Sequence, residues 1–284
     1  MRGKMLKESN VYQIIRRGLP NMSRSQKKVA ALLLDRPDEV VFLNVSQLAA
    51  MAEVSDATIT RFAVFLGYRG FTELQEEIQS SLKQQWKTSE RLKKRENTSH
   101  SFRGVLEQDV SDLEETMSLL DEDELMKVVR AVWRADKIWI AANRSAEALG
   151  VFLQYYLEKV VDDVRMIHSV EREADLLAHL GRQDVVIGIS FPRYSKSTVD
   201  ILAYAHETGV ETAALTDTLS SPLAAYADTV LTAKSRMHSY IDTFTAPLSV
   251  IQALLVQVGK EKEEETEKRL EHLESIWEKF DVFY

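Results

Sequence analysis

The strongest constraint on the fold of this chain is a series of five short apolar runs that alternate with amphipathic helical stretches. The runs occupy residues 137–142, 164–168, 184–190, 211–216 and 228–233. Short apolar runs bounded by polar residues are typical of strands buried on both faces of a parallel sheet. Helical stretches lie between them at residues 146–160, 171–180, 196–208 and 221–227. This alternation predicts an α/β fold with a doubly wound, five-stranded parallel sheet, in which we expect the strand order 2-1-3-4-5.

The sequence before residue 135 predicts helices alone. Apolar residues recur there at helical spacing, and residues suited to capping a helix N-terminus precede the stretches. The expected helices cover residues 23–35, 47–51, 56–66, 71–82, 102–120 and 122–134, and two more end the chain at 240–258 and 260–280. The expected N-caps are Ser23 or Ser25, Ser46, Ser55 and Asp121, and Gly67 is expected to end the third helix.

A polar segment at residues 83–104 separates the two kinds of pattern. The chain has 284 residues, which is enough for two domains at a prior of roughly 150 residues each. We therefore expect an all-α domain at residues 1–82, a linker at 83–104 and the α/β domain at 105–284.

The charge is distributed unevenly between the two halves. Residues 1–100 contain 17 basic and 11 acidic side chains, a net charge of +6, whereas residues 101–284 contain 19 and 33, a net charge of −14. A basic domain joined to an acidic one favours a nucleic-acid-binding module. No cysteine is present, and no apolar run reaches the roughly 18 residues of a membrane-spanning helix. With no signal peptide at the start, we expect a cytoplasmic protein without a membrane partner.

Residues 47–71 have the pattern of a helix-turn-helix motif, in which a small Ala49 lets the two helices pack closely. The start of the second helix would enter the major groove, where short polar side chains read bases and basic ones hold phosphates. Glu53 lies where many such turns have glycine, and a left-handed glutamate costs roughly 1 kcal/mol, so we expect a slightly reshaped turn. The alternative is two helices of an ordinary bundle. The expected DNA contacts are Ser46, Ser55, Asp56, Ala57, Thr58, Thr60, Arg61 and Arg69.

Three segments of this domain resemble the RpiR/MurR family of bacterial transcriptional regulators. They are RPDEV at residues 36–40, VSDATITRF at 54–62 and LGYRGF at 66–71, and the resemblance covers nearly all of residues 1–82. It implies an N-terminal domain that binds a double-stranded DNA operator.

Two polar loops follow the first and third strands of the expected sheet. In a doubly wound sheet such loops flank the ligand crevice at the topological switch point. Each loop runs into a helix N-terminus, whose free N–H groups attract anions. The loops also contain arginine and lysine side chains, which supply positive charge, and hydroxyl side chains, which can hydrogen-bond a ligand. Ser145 and Ser197 also suit simple helix capping. The expected ligand contacts are Asn143, Arg144, Ser145, Ser190, Arg193, Ser195, Lys196, Ser197 and Thr198.

Residues 125–258 are similar to the sugar isomerase (SIS) domain, the usual partner of the RpiR-type DNA-binding domain. The first SIS loop commonly reads Gly-x-Gly-x-Ser, and only Ser145 of that pattern is present here. The second commonly reads Ser-x-Ser-Gly-x-Thr; Ser190 is kept, Pro192 and Arg193 replace the central Ser-Gly, and Ser195 replaces the threonine. The resemblance implies a phosphorylated sugar as ligand. Arg144 and Arg193, one in each loop, either favour a more negatively charged ligand or close the site.

These features predict a transcriptional regulator whose DNA binding responds to a small anionic metabolite, expected to be sugar-derived and phosphorylated. We expect no enzyme activity, cofactor or metal site, because neither loop carries an acid or base and His168 and His238 are isolated in the sequence. The alternatives are a sugar-phosphate isomerase and a sugar-phosphate sensor that does not bind DNA.

A homodimer or homotetramer is expected, since two-fold symmetric regulators bind inverted-repeat half-sites. An apolar stripe on the last helix either packs on the sheet of its own chain or contacts another subunit. Its members are Leu270, Leu273, Trp277, Phe280 and Tyr284.

Overall fold

The structure is a computed structural model that describes residues 10–36, 40, 43–85, 101–238 and 240–283. The chain divides into two compact units, Met1–Lys93 and Lys94–Tyr284. The division falls within the polar segment 83–104 for which the sequence predicts a linker. Residues 86–100 of that segment lie outside the described residues.

The described part of the first unit is helical, as the sequence predicts. The helix Arg24–Asp35 begins after Ser23, whose hydroxyl accepts a hydrogen bond from the backbone of Gln26 while the Gln26 side chain accepts one from the backbone of Ser23. This reciprocal capping box satisfies two N–H groups that would otherwise lack partners. The helices are α1 Asn10–Gly18, which the sequence patterns did not indicate, α2 Arg24–Asp35, α3 Val45–Met51, α4 Asp56–Phe65 and α5 Phe71–Gln85.

The start of α3 differs from the prediction. Asn44, not Ser46, is its N-cap, because Asn44 and Gln47 form a second capping box with both hydrogen bonds at 2.9 Å. The helix therefore begins two residues earlier than expected. Gly67, with a φ of 99°, follows the end of α4 as predicted.

The second unit is an α/β fold with the predicted strand order. Its five strands, counted along the chain, lie in the order 2-1-3-4-5, and every neighbouring pair is parallel. Two helices precede the sheet in the sequence. The elements are α6 Phe102–Leu119, α7 Glu122–Arg134, β1 Ile138–Ala142, α8 Glu147–Leu157, β2 Val164–Ile167, α9 Val170–Leu177, β3 Val185–Ile189, α10 Lys196–Glu207, β4 Glu211–Thr216 and β5 Thr229–Thr232.

Apolar side chains cover both faces of the sheet. Ile140 points to a core shared with α7 and α8, whereas its neighbour Trp139 points to the opposite core, beside Ile201 and Leu202 of α10. Successive strand residues point to opposite faces, so two separate cores require helices on both sides. The sheet is therefore doubly wound, as expected.

Two predicted helices near the end of the sheet are wrong in extent. Residues 221–227 form only the short 3-10 turn Ala224–Tyr226, since seven residues offer few hydrogen bonds against the cost of a helix nucleus. The helix expected at 240–258 begins later, after a small antiparallel hairpin of two strands. These elements are β6 Met237–His238, β7 Ile241–Asp242, α11 Thr245–Glu261 and α12 Glu263–Lys279.

The last helix, α12, lies outside both cores of the sheet. Thr266 is the only buried residue among the described residues of this helix. Trp277 instead lies under the ammonium of Lys159, 4.5 Å from the ring centre, and Phe280 is exposed. Of the stripe, Trp277 thus packs against Lys159 in the segment after α8, and Tyr284 lies outside the described residues. No helix in the described ranges is long and apolar enough to cross a membrane.

Candidate functional site

The turn between α3 and α4 has the geometry of a helix-turn-helix motif. Glu53 adopts the left-handed conformation with a φ of 53°, and the backbone N–H of Val54 donates to the carbonyl of Ala49 at 2.9 Å. The turn therefore keeps a conformation that glycine favours, and the expected reshaping is not needed. Lys28 of α2 pairs with the Glu53 carboxylate at 2.9 Å, and its hydrogen bond and positive charge lower the pKa of Glu53.

Helix α4 buries one side and exposes the other. Ile59, Phe62 and Ala63 are fully buried against α2, α3 and α5. At 100° per residue, the opposite side carries the residues at positions 57, 60, 61 and 64. Of the predicted DNA contacts, Ala57, Thr60 and Arg61 lie on this outer face, and Ser55 and Asp56 are exposed at the first turn.

Thr58 does not lie where the sequence analysis placed it. Its side chain is buried, with 9% of its surface exposed, and its hydroxyl is 3.0 Å from that of Ser55. Arg61 donates to the same hydroxyl at 3.4 Å. Thr58 borders the buried side of α4, so it orders the first turn rather than facing outward.

The other two predicted DNA contacts flank α4. Ser46 is exposed on α3, and its hydroxyl donates to the carboxylate of Asp56 at 2.6 Å, which ties the two helices together at their N-terminal ends. Arg69 lies in the loop after α4, pairs with Glu73 at 3.4 Å and remains exposed.

The two predicted ligand loops meet at the carboxyl ends of β1 and β3. The amide of Asn143 donates to the hydroxyl of Thr198 at 3.0 Å, and both side chains are buried. The two loops, 55 residues apart in sequence, are thus joined directly. Since β1 and β3 are neighbours in the sheet, their junction lies at the topological switch point, where doubly wound sheets bind ligands.

Most of the predicted serine contacts hold the loops in place. The hydroxyl of Ser190 accepts from the backbone of Ser195 at 3.0 Å, and the hydroxyl of Ser195 caps α10 through the backbone of Thr198. Ser197 accepts from the backbone of Val170 at 3.0 Å, which joins α10 to α9. Ser145, by contrast, is exposed.

Three cationic side chains of the predicted set are exposed around this junction. Arg144 and Arg193 both have left-handed backbones, with φ values of 59° and 68°. Each such conformation costs a non-glycine residue roughly 1–2 kcal/mol, and strain of this kind clusters at functional sites. Arg193 replaces the glycine of the SIS pattern and keeps the backbone that glycine favours. Lys196 is also exposed and pairs with Asp200 at 2.5 Å.

The sequence patterns did not indicate a pair formed by a glutamate and a histidine at the carboxyl ends of the strands. Glu147, in the first turn of α8, lies 3.1 Å from Nδ1 of His168, which follows β2. Both side chains are partly exposed, and Glu173 accepts from the backbone of His168. The available signal was the strand order, because β1 and β2 are neighbours and the residues after them lie close together.

The fold defines the class of protein: one that joins a helix-turn-helix domain to a doubly wound α/β domain. Residues 9–85 match the helix-turn-helix domain of the rpiR family, and residues 131–257 match the SIS domain. An HTH-type transcriptional regulator of Haemophilus influenzae, itself uncharacterized, is 31% identical over 268 residues, which cover 89% of this chain and 92% of that one. The chain belongs to the RpiR family of HTH-type transcriptional regulators.

Two solved structures share the fold. The sugar isomerase domain of an RpiR transcription factor from Sphaerobacter thermophilus is 29% identical, with a TM-score of 0.58, and the match covers 60% of this chain and 96% of that one. The Vibrio vulnificus NanR protein, solved in complex with ManNAc-6P, is 19% identical with a TM-score of 0.57, over 94% and 98% of the two chains.

Proposed function

We propose that this protein is a DNA-binding transcriptional regulator whose α/β domain binds a small anionic, sugar-derived phosphate. It acts in the cytoplasm as a homodimer or homotetramer on a double-stranded operator with inverted half-sites. The ligand changes DNA affinity to the extent that it prefers one arrangement of the DNA-binding domains over another.

The observation that carries the DNA-binding proposal is the outer face of α4. It is exposed opposite the buried Ile59, Phe62 and Ala63, and it follows a turn whose left-handed Glu53 sets the crossing of α3 and α4. A recognition helix requires this combination of a fixed turn and an uncovered face. Arg61 and Arg69 add positive charge beside the face for contacts with phosphates.

The ligand proposal rests on the crevice at the ends of β1 and β3. Exposed Arg144, Arg193 and Lys196 surround a junction that the N-terminus of α10 adjoins, and both cations and helix N-termini attract phosphate. The relative from Vibrio vulnificus has this fold and was solved with a sugar phosphate. A phosphorylated sugar is therefore the ligand class that we propose.

A second candidate function, isomerisation of a sugar phosphate, is favoured by one observation. Glu147 and His168 form a 3.1 Å pair at the crevice edge, and such a pair suits proton transfer at a sugar carbon. The test is solvent deuterium exchange into sugar phosphates, followed by NMR. Exchange that His168→Gln abolishes would establish this function, and absence of exchange with every sugar phosphate that binds would exclude it.

The principal experiment measures DNA binding by fluorescence anisotropy with the full-length protein and duplexes from beside its own gene. We expect sequence-selective binding that one sugar phosphate changes. Arg61→Ala should weaken binding about tenfold or more, since hydrogen bonds to charged groups contribute roughly 1.5–3 kcal/mol. Binding that is equally weak for every sequence would refute the regulator proposal. If a sugar phosphate still raised the melting temperature of such a protein, it would instead be a sensor that does not bind DNA.

A further inference from the structure

Three of the four residues on the outer face of α4, Ala57, Thr60 and Val64, carry methyl groups. On the proposed function, we infer that this face recognises the C5 methyl groups of thymine, through Val64 together with Ala57 and Thr60. Val64 is a specificity-determining residue that the sequence motif does not indicate. The operator half-site therefore contains A·T pairs whose thymine methyls face α4.

Val64 is placed for this contact by the geometry of the helix. It is exposed over 55% of its surface, although valine is among the residues most often buried. Positions 57, 60 and 64 lie within about 60° of each other around the helix axis, which makes one continuous stripe. The buried side chains Ile59 and Phe62 lie on the opposite side. Val64 therefore lies on the face that a recognition helix presents to the groove.

Thr60 contributes to the same stripe because its hydroxyl has a partner within the helix. That hydroxyl donates to the carbonyl of Asp56 at 3.4 Å, one turn earlier. Thr60 is exposed and lies between Ala57 and Val64 along the helix, so it adds a methyl group to the stripe. Arg61 is the only long polar side chain among positions 57, 60, 61 and 64 of this face.

The chemistry of the major groove identifies the complementary group. Each base pair presents hydrogen-bonding groups there, and thymine alone adds a methyl, which proteins contact with alanine, with the methyl of threonine and with other apolar groups. A stripe of three methyl-bearing residues can satisfy few base donors or acceptors. Its binding free energy comes from excluding water from apolar surface, and thymine provides that surface.

The test compares thymine with uracil, which lacks only the C5 methyl group. The full-length protein first selects duplexes from a random-sequence library, and deoxyuridine then replaces thymidine at one position at a time. Burial of one methyl contributes about fourfold in affinity. We expect the wild-type protein to lose about fourfold at one or more thymines of each half-site.

Variants of the protein assign the effect to the stripe. Val64→Ala should bind the thymine duplex several-fold more weakly and show no further loss with uracil at the position that Val64 contacts. Thr60→Ser removes a methyl group and keeps the hydroxyl. If Val64→Ala is poorly folded, the same comparison of thymine with uracil is made with Thr60→Ser. Val256→Ala is the control, because Val256 is equally exposed on α11 of the other unit and should leave both affinities unchanged.

Two outcomes would overturn the inference. One is equal affinity of the wild-type protein for thymine and uracil at every position. The other is that Val64→Ala and uracil lower the affinity by independent factors at every position, so that no thymine methyl depends on Val64. If duplexes are selected and Arg61→Ala weakens binding to them, but uracil has no effect, only this inference fails. If no duplex is selected, the proposed function fails as well.

Discussion

The left-handed backbone of Arg193 leads to a prediction about stability that can be worked out from the structure. Arg193→Ala and Arg193→Gly both remove the guanidinium and all of its contacts, so they differ only in the Cβ atom. With φ at 68°, that Cβ costs about 1–2 kcal/mol in the folded state. Glycine gives back about 0.4–1 kcal/mol, because it makes the unfolded chain more flexible. From the central values of these two ranges, we expect Arg193→Gly to be more stable than Arg193→Ala by about 0.8 kcal/mol.

Urea unfolding of the full-length protein measures this difference through tryptophan fluorescence. Trp139 is a suitable reporter of the second unit, because it is fully buried and its indole donates to Asp184 at 2.9 Å. Gly209 provides the reverse substitution in the same unit. Its φ is 77°, and an added Cβ would meet only Arg182, at 3.9 Å, so Gly209→Ala should lose a similar amount, about 0.8 kcal/mol, without a steric clash. The reasoning is refuted if Arg193→Ala is as stable as Arg193→Gly while Gly209→Ala is destabilised.

Two further predictions concern polar groups of the second unit. Thr198→Val should destabilise it by about 1–3 kcal/mol, measured by urea unfolding, because the buried amide of Asn143 loses its acceptor; an unchanged midpoint would contradict this. Burial raises the pKa of Glu115, but hydrogen bonds and charges from Lys234 and Arg236 outweigh burial and leave the pKa lowered. A carboxylate whose pKa is lowered in the folded state stabilises the protein fully above its unfolded pKa, about 4.5 for Glu115, and this stability is lost as the pH falls through the folded pKa. Melting temperatures between pH 6 and pH 3 should therefore fall less for Glu115→Gln than for the wild type, and parallel curves would be evidence against the assignment.

The sheet could be predicted closely because its strands are buried on both faces. Residues 211–216 were expected as a strand and form β4 without a change in bounds, since an apolar run flanked by polar residues leaves little freedom. Helix caps were harder to predict. Asn44 and Gln47 carry the spacing of a capping box, yet Ser46 is an equally good cap by residue type, and the sequence alone does not decide between the two.

The candidate sites were predictable by segment rather than by side chain. Both ligand loops follow from the strand order, but the pair Asn143–Thr198 joins residues 55 positions apart, and no local pattern links them. Thr58 was placed outward because threonine suits either side of an amphipathic helix. Val64 was overlooked for the opposite reason, since a valine at helical spacing is normally assigned to the core.

The hydrogen bond between Asn143 and Thr198 affects how the crevice binds a guest molecule. The loops are ordered by the protein's own contacts during folding, so a guest need not immobilise them, and little conformational entropy is lost on association. Preorganisation of this kind favours rapid capture and small rearrangements of the crevice itself. Larger movements that a guest provokes must then originate in the side chains that project from the loops, of which the exposed Arg144 is one.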